Sequence, residues 1–248
     1  MGQIAYNAAI GDMTEAFSAS DAAWLSICNA PLGTWRMPRT AWPAVPKTSI
    51  RGLRFFAHAP GFTGQLPGPE SYAHTRLKID VVKAARAMGF RAELEAWGTD
   101  GAGAEWIADV LVFLADGRRV AFEVQLSSQH LDDFLTRTER YRRSGVTCCW
   151  IMSERPVAWR LTKALSYKNS QYRRETGEVL CDCEELVPFA IELAGKDAYP
   201  DVLPPVRFGR GRHIKRMALT EAVAGMLHGF PSWQLPDWHW KASQVSVD

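Results

Sequence analysis

The sequence predicts an α/β fold, a mixed β-sheet flanked by helices, on three observations. The stretch 106–127, WIADVLVFLADGRRVAFEVQLS, reads as two strands joined by a tight turn. The run 146–152, VTCCWIM, is continuously apolar, as expected of a strand buried on both faces of a parallel pairing. Helical patterns at about 69–88 and 130–143 flank these strands, and AELEAW (92–97) adds another. The order helix, strand, strand, strand, helix, strand suggests an α/β core with a mixed sheet.

The turn of the hairpin decides which side chains share a face. A two-residue loop at Asp116-Gly117 would place Asp109 with Val120 and Phe122, and Glu123 on the other side. A three-residue loop, Ala115-Asp116-Gly117, with Gly117 in the left-handed conformation, pairs Leu114 with Arg118 and sets Asp109 opposite Glu123. Val110, Val112, Leu114, Val120, Phe122 and Val124 then form one apolar face. The other carries Asp109, Leu111, Phe113, Ala121, Glu123 and Gln125. A one-residue slip exchanges the faces completely, so the apolar pattern selects the three-residue loop. Two carboxylates across a strand pair, with β-carbons roughly 5 Å apart, repel unless a cation lies between them. Mg²⁺, which takes carboxylate, water and phosphate oxygens, suits that place. An edge hairpin with a solvated acidic end fits the same pattern, and the pattern alone does not choose.

The preceding helix has Gly89 as its stop, a proline in its first turn, and Glu70, His74 and Lys78 along one stripe. Alone, such a stripe reads equally as solvated surface with helix-supporting charges. The helix over 130–143 turns Leu131, Phe134, Leu135 and Tyr141 to the core and carries Arg137, Arg140, Arg142 and Arg143.

Residues 1–50 are rich in Ala, Trp and Pro. They predict one short helix near 21–28, capped by Ser20, in an otherwise irregular segment. IRGLRFFAH (50–58) reads as a strand or strand-loop junction. The tail from about 155 reads as less regular, with a helix from about 214 to 227 and a Trp-rich end. RFGRGRHIKR (207–216) holds four arginines, one lysine and one histidine. Such a cluster beside a carboxylate site suits a polyanion, although each basic cluster taken singly also fits ordinary solvated surface. The division expected is an accessory region at 1–62, a core at 63–166 and a basic, partly helical region at 167–248.

Net charge is only +2, and the hydrophobic (47%) and charged (23%) fractions are those of a soluble globular protein. No apolar run approaches the roughly 18 residues of a membrane span. The first residues lack the basic flank and apolar run of a signal peptide, so a cytoplasmic, membrane-free protein is expected. Five cysteines without regular spacing form no disulfide framework. Whether Cys28, Cys181 and Cys183 take part in zinc binding stays open.

Five motifs in order, FFAH (55–58), ESYAHTRLK (70–78), ADV (108–110), AFEVQLS (121–127) and RTERY (137–141), followed by the strand ending CWIM (149–152), resemble the competence protein CoiA-like nucleases. That family is a branch of the PD-(D/E)XK superfamily. The resemblance implies a restriction-endonuclease-like core with N-terminal and C-terminal additions, and Mg²⁺-dependent (or Mn²⁺-dependent) cleavage of DNA. It implies Asp109 and Glu123 as metal ligands, Glu70 completing the acidic cluster, His74 and Lys78 beside it, and Gln125 where most of the superfamily has lysine. Arg137, Arg140, Arg207, Arg210, Arg212 and Lys215 are the expected nucleic-acid contacts. The alternative is a degenerate nuclease-fold module that binds nucleic acid or a protein without cutting.

Overall fold

The computed structural model of the protein describes residues 2–65, 68, 70–178, 186–209, 213–235 and 237–241. Two compact units divide the chain after Glu70.

The N-terminal unit is more regular than its proline content suggests. Strands β1 (Ile4–Asn7), β2 (Met13–Glu15) and β3 (Trp35–Arg36) form one sheet in the order β2-β1-β3, and β4 (Ala44–Thr48) pairs with β5 (Arg54–His58). Helix α1 (Asp21–Asn29) is capped by Ser20, whose hydroxyl accepts from the Ala23 amide at 3.2 Å, as expected. Trp24 packs edge-on against Phe56 at 5.5 Å within a core of Ala5, Ala16, Ile27, Met37 and Ala44. These strands have five residues or fewer, too short for an alternating pattern to stand out between prolines.

In the second unit, helix α2 (Tyr72–Ala87) precedes strands β6 (Arg91–Thr99), β7 (Glu105–Phe113) and β8 (Arg119–Gln125). Helix α3 (Leu131–Arg143) and β9 (Val146–Ser153) follow. An irregular turn (Glu154–Ala158) leads into α4 (Trp159–Thr176) and β10 (Val187–Ile191). Then come β11 (Val206–Phe208), β12 (Lys215–Met217), α5 (Leu219–Leu227) and a closing pair, β13 (Pro231–Gln234) with β14 (Asp237–Trp240). Seven strands form one mixed sheet, β12-β11-β10-β9-β8-β7-β6. β8, β9 and β10 run parallel, joined by α3 and α4 as crossovers, and the remaining pairs are antiparallel.

Three elements differ from the reading of the sequence. Helix α2 begins at Tyr72, because the Ser71 hydroxyl caps the His74 amide at 3.2 Å. Residues 159–176, expected to be irregular, form an 18-residue helix whose buried side rests chiefly on Leu161 and Leu165, too thin an apolar stripe to announce itself. The expected helix over 214–227 splits into β12 and the shorter α5, since residues 215–217 pair with β11. Strands β10 to β12 belong to the same sheet as β6 to β9.

The hairpin register is as expected. Val110 pairs with Phe122, Val112 with Val120 and Phe113 with Arg119. The Leu114 amide donates to the Arg118 carbonyl at 2.9 Å, and Gly117 has φ +84°, so the three-residue turn closes as glycine alone does easily. Helices α3 and α4 cover one face of the sheet, over Leu111, Ala121, Cys148, Trp150 and Met152. Helix α2 lies across β6, β7 and β8, with α5 beside it. Val120, Phe122 and Val124, buried but outside the α3 cluster, face α2 by strand alternation.

Candidate metal centre

Strand β7 breaks its alternation at one place, and that place positions the site. Ala108 and Leu111 both pack in the cluster under α3, although residues three apart on a regular strand face opposite ways. The neighbouring strand kinks at the same level: Glu95 has φ +50°, uncommon for a residue with a side chain. The pairing of β6 with β7 continues on both sides, Leu94 with Val110 and Ala96 with Ala108, but skips Glu95 and Asp109.

Asp109 therefore leaves the ladder. Its Oδ2 accepts from the Val124 amide at 2.9 Å, a bond that a strand carbonyl would ordinarily receive. The carboxylate reaches α2, with His74 Nε2 at 3.4 Å and Lys78 Nζ at 3.7 Å. Lys78 is fully buried and also lies 3.4 Å from a Glu95 carboxylate oxygen, so one ammonium serves two acids. His74 Nε2 donates to the Val124 carbonyl at 2.9 Å, because a carbonyl can only accept. That bond leaves Nδ1 as the ring nitrogen with a lone pair to offer a cation.

Glu70, His74 and Asp109 each present one potential ligand atom, all within 4.8 Å of one another, the one such trio among the described residues. Glu70 is joined directly to the cap residue Ser71 and so is carried to Asp109 by the start of α2. Two carboxylates and an imidazole suit a hard or borderline divalent ion such as Mg²⁺ or Mn²⁺, and the nitrogen donor shifts the preference toward the transition metal.

Glu123 stands differently. The expectation placed it beside Asp109 on one face, but beyond the Val110–Phe122 rung the two diverge, Asp109 to α2 and Glu123 to α3. The break in β7 turns Asp109, while β8 keeps its alternation. Glu123 is fully buried and accepts from the Arg137 guanidinium and the Tyr141 hydroxyl. The Ile107 carbonyl lies 3.0 Å from the same Tyr141 hydroxyl, whose one proton the two acceptors share, and Arg137 lies over the Trp150 ring at 4.8 Å. Burial, then the charge of Asp109, pushes the Glu123 carboxyl well up, with Arg137 and the Tyr141 hydrogen bond pulling it back. The two acids remain near enough to feel one another, yet Glu123 is outside the trio.

The other expected site residues are scattered. Gln125 donates its amide to the Ser127 carbonyl at 2.6 Å and to the Ser127 hydroxyl at 3.2 Å. Arg137, expected to meet nucleic acid, turns inward because the buried Glu123 requires a cation. Arg140 is partly exposed and donates to the Glu105 carbonyl at 3.3 Å. Arg207 pairs with Glu154 at 3.2 Å, and Lys215 pairs with Glu221 at 2.8 Å while lying over the Trp240 ring. Arg210, Arg212, Cys181 and Cys183 lie outside the described residues, whereas Cys28 is exposed and Cys148 and Cys149 are buried, all three free thiols.

Three participants escaped the reading of the sequence. Glu95 sits in an ordinary alternating strand pattern, and nothing in AELEAW signals a positive φ. Tyr141 was assigned to the core by periodicity, correctly, but its hydroxyl partner is 18 residues away. The Val124 amide is a backbone group and has no sequence signal.

Residues 70–176 match the family described as "Competence protein CoiA, nuclease-like domain". No curated protein shows a recognisable match. A crystal structure described as "Protein of Unknown Function AF1548" is similar at 15% identity with a TM-score of 0.28, over 37% of this chain and 53% of that one. This chain thus spans about half of that protein's length, a likeness too slight to bear on fold or activity. No helix among the described residues is long and apolar enough to cross a membrane.

Proposed function

We propose that the protein is a metal-dependent deoxyribonuclease that processes incoming or foreign DNA, a reading that starts from the match of residues 70–176 to the CoiA nuclease-like domain. The observation that carries the reading is the convergence of Glu70, His74 and Asp109 within 4.8 Å of one another, inside the matched segment.

Glu70, His74 through Nδ1 and Asp109 would hold Mg²⁺ or Mn²⁺, which when bound lowers the pKa of water and neutralises charge gathering on a phosphodiester. The chain's own residues prepare the place. The Val124 amide and the His74 ring fix the Asp109 carboxylate from two sides. Lys78 supplies the positive charge that Gln125, at the usual lysine position, lacks. Its burial and its two carboxylate neighbours keep that charge inside the site.

A specific observation favours a second reading, a nuclease fold that binds DNA without cutting it. Gln125 is neutral and turned to Ser127, and Glu123 is engaged by Arg137 and Tyr141. One experiment separates the readings: plasmid and single-stranded DNA are incubated with Mg²⁺ or Mn²⁺ and wild type, Asp109→Ala or Glu123→Ala. The nuclease reading expects cleavage by wild type and a loss of roughly 10²–10³-fold or more in Asp109→Ala. Equal activity in all three proteins would sink it, and binding without cleavage by wild type would establish the second.

A further inference from the structure

Helix α4 has a surface that the nuclease-like core does not require. Its inner side is anchored by Leu161 and Leu165, and opposite them runs a stripe of Trp159, Lys163 and Tyr167 at successive four-residue steps. Trp159 is 56% and Tyr167 68% exposed, leaving both rings open to a ligand. A helix rises 1.5 Å per residue, so the two rings stand about 12 Å apart along the axis.

The same helix carries Arg160, Lys163, Lys168, Arg173 and Arg174 against a single acid, Glu175. Glu175 accepts from Gln171 at 3.1 Å, and the two line a shallow groove with Tyr167 and Arg174. Lys163 Nζ hovers 5.6 Å from the centre of the Trp159 ring, within reach of a phosphate once a base takes the ring face. Exposed flat rings interleaved with cations match the chemistry of an unpaired polynucleotide: bases stack on the rings while phosphates meet the ammonium and guanidinium groups. A duplex offers phosphates but keeps its base faces internal.

The stripe is also tied to the loop leaving β8. Arg160 donates to the Ser128 hydroxyl at 2.6 Å, one residue beyond the Ser127 that receives Gln125.

We propose that Trp159, Lys163 and Tyr167 form a stacking track on α4 that holds single-stranded DNA. The proposal rests on the DNA-cleaving reading for the identity of the polymer and adds the strand form that the protein holds.

The test measures fluorescence anisotropy of a labelled oligodeoxythymidylate of about 20 nucleotides with the full chain in EDTA, where no cleavage can occur. A duplex and an oligouridylate of equal length serve as comparison probes. Trp159→Ala and Tyr167→Ala are each expected to weaken single-strand binding about tenfold, the order of one lost base stack, with duplex binding changed less than about twofold. Trp159→Phe keeps a ring and should recover most of the loss. Lys163→Ala should flatten the dependence of log affinity on log salt by about 0.7. Unchanged circular dichroism and melting temperature, expected for such exposed rings, show that the variants fold. Single-strand binding unaffected by either alanine, an equal loss for duplex, or tighter binding of the oligouridylate would overturn the proposal. A parallel cleavage assay with wild type and Asp109→Ala reports on the nuclease reading independently of the track.

Discussion

Asp109 and Glu123 sit on adjacent strands, one rung past a shared register, yet the two helices treat them in opposite ways. Helix α2 brings Asp109 a histidine and a lysine shared with Glu95, and Glu70, just before the helix cap, adds another acid. Helix α3 meets Glu123 with a guanidinium and a phenol. The first pole gathers two carboxylates and an imidazole within 4.8 Å of one another, a donor set that suits a divalent ion. The second pole supplies its own counter-charge, so that a buried carboxylate survives without an external one. A carboxylate's neighbours thus say more about its capacity for metal than its place in a motif does.

Removing the cation from the α3 pole should produce the largest change in stability. Arg137→Ala strands a buried carboxylate, and breaking such a pair costs about 3–5 kcal/mol when both partners are buried. Arg137 is 35% exposed on its side chain, so a value near the lower end, about 2–3 kcal/mol, is expected in urea unfolding. Combining it with Glu123→Gln should recover much of the loss, because no bare charge then remains. A neutral effect of Arg137→Ala alone would refute the account of this pole.

A smaller change should appear at the α2 pole. Mn²⁺ at ten times its dissociation constant should stabilise wild type by about 1.4 kcal/mol, or a few degrees in melting temperature. Asp109→Ala should lose that shift while Arg137→Ala/Glu123→Gln retains most of it. Loss of the shift in the second protein alone would reverse the assignment of the poles.

The smallest effect lies at the exposed end of α3. Glu139 accepts from Arg142 at 2.5 Å and Arg143 at 2.8 Å, and these hydrogen bonds hold its carboxyl at about 2 instead of the ordinary 4.5. A depressed carboxyl favours folding above its unfolded value, and that contribution fades as pH falls from about 4.5 through 2. Side-chain NMR titration should find Glu139 ionised at pH 3.5, with an ordinary midpoint in Arg142→Ala/Arg143→Ala.

Much of this molecule was legible before any coordinates. The apolar alternation of residues 110–124, with Gly117 in the turn, dictated the hairpin register, because a one-residue slip would have turned every valine outward. The continuous apolar run of β9 announced a strand covered on both faces, and α3 covers it with Phe134 and Tyr141. His74 and Lys78 share a stripe of α2 by helical geometry, whereas Glu70, expected on the same helix, precedes its cap residue Ser71, and all three nonetheless meet Asp109.

Other features depend on groups far apart in the chain. The kink at Glu95 and the departure of Asp109 from the ladder belong to two strands at once, and neither strand alone encodes them. Arg137 looks like one more surface cation of a basic helix until the fold buries Glu123 beneath it. Strands β10 to β12 are short and acquire their identity only from the edge of a sheet already built. Local periodicity determined which faces are apolar and which residues share a helix stripe, because those depend on 3.6- and 2-residue repeats within one segment. Only the tertiary structure decided which carboxylate met a guanidinium and a phenol and which met a histidine, a lysine and further acids, because burial and partnership are properties of the packed assembly.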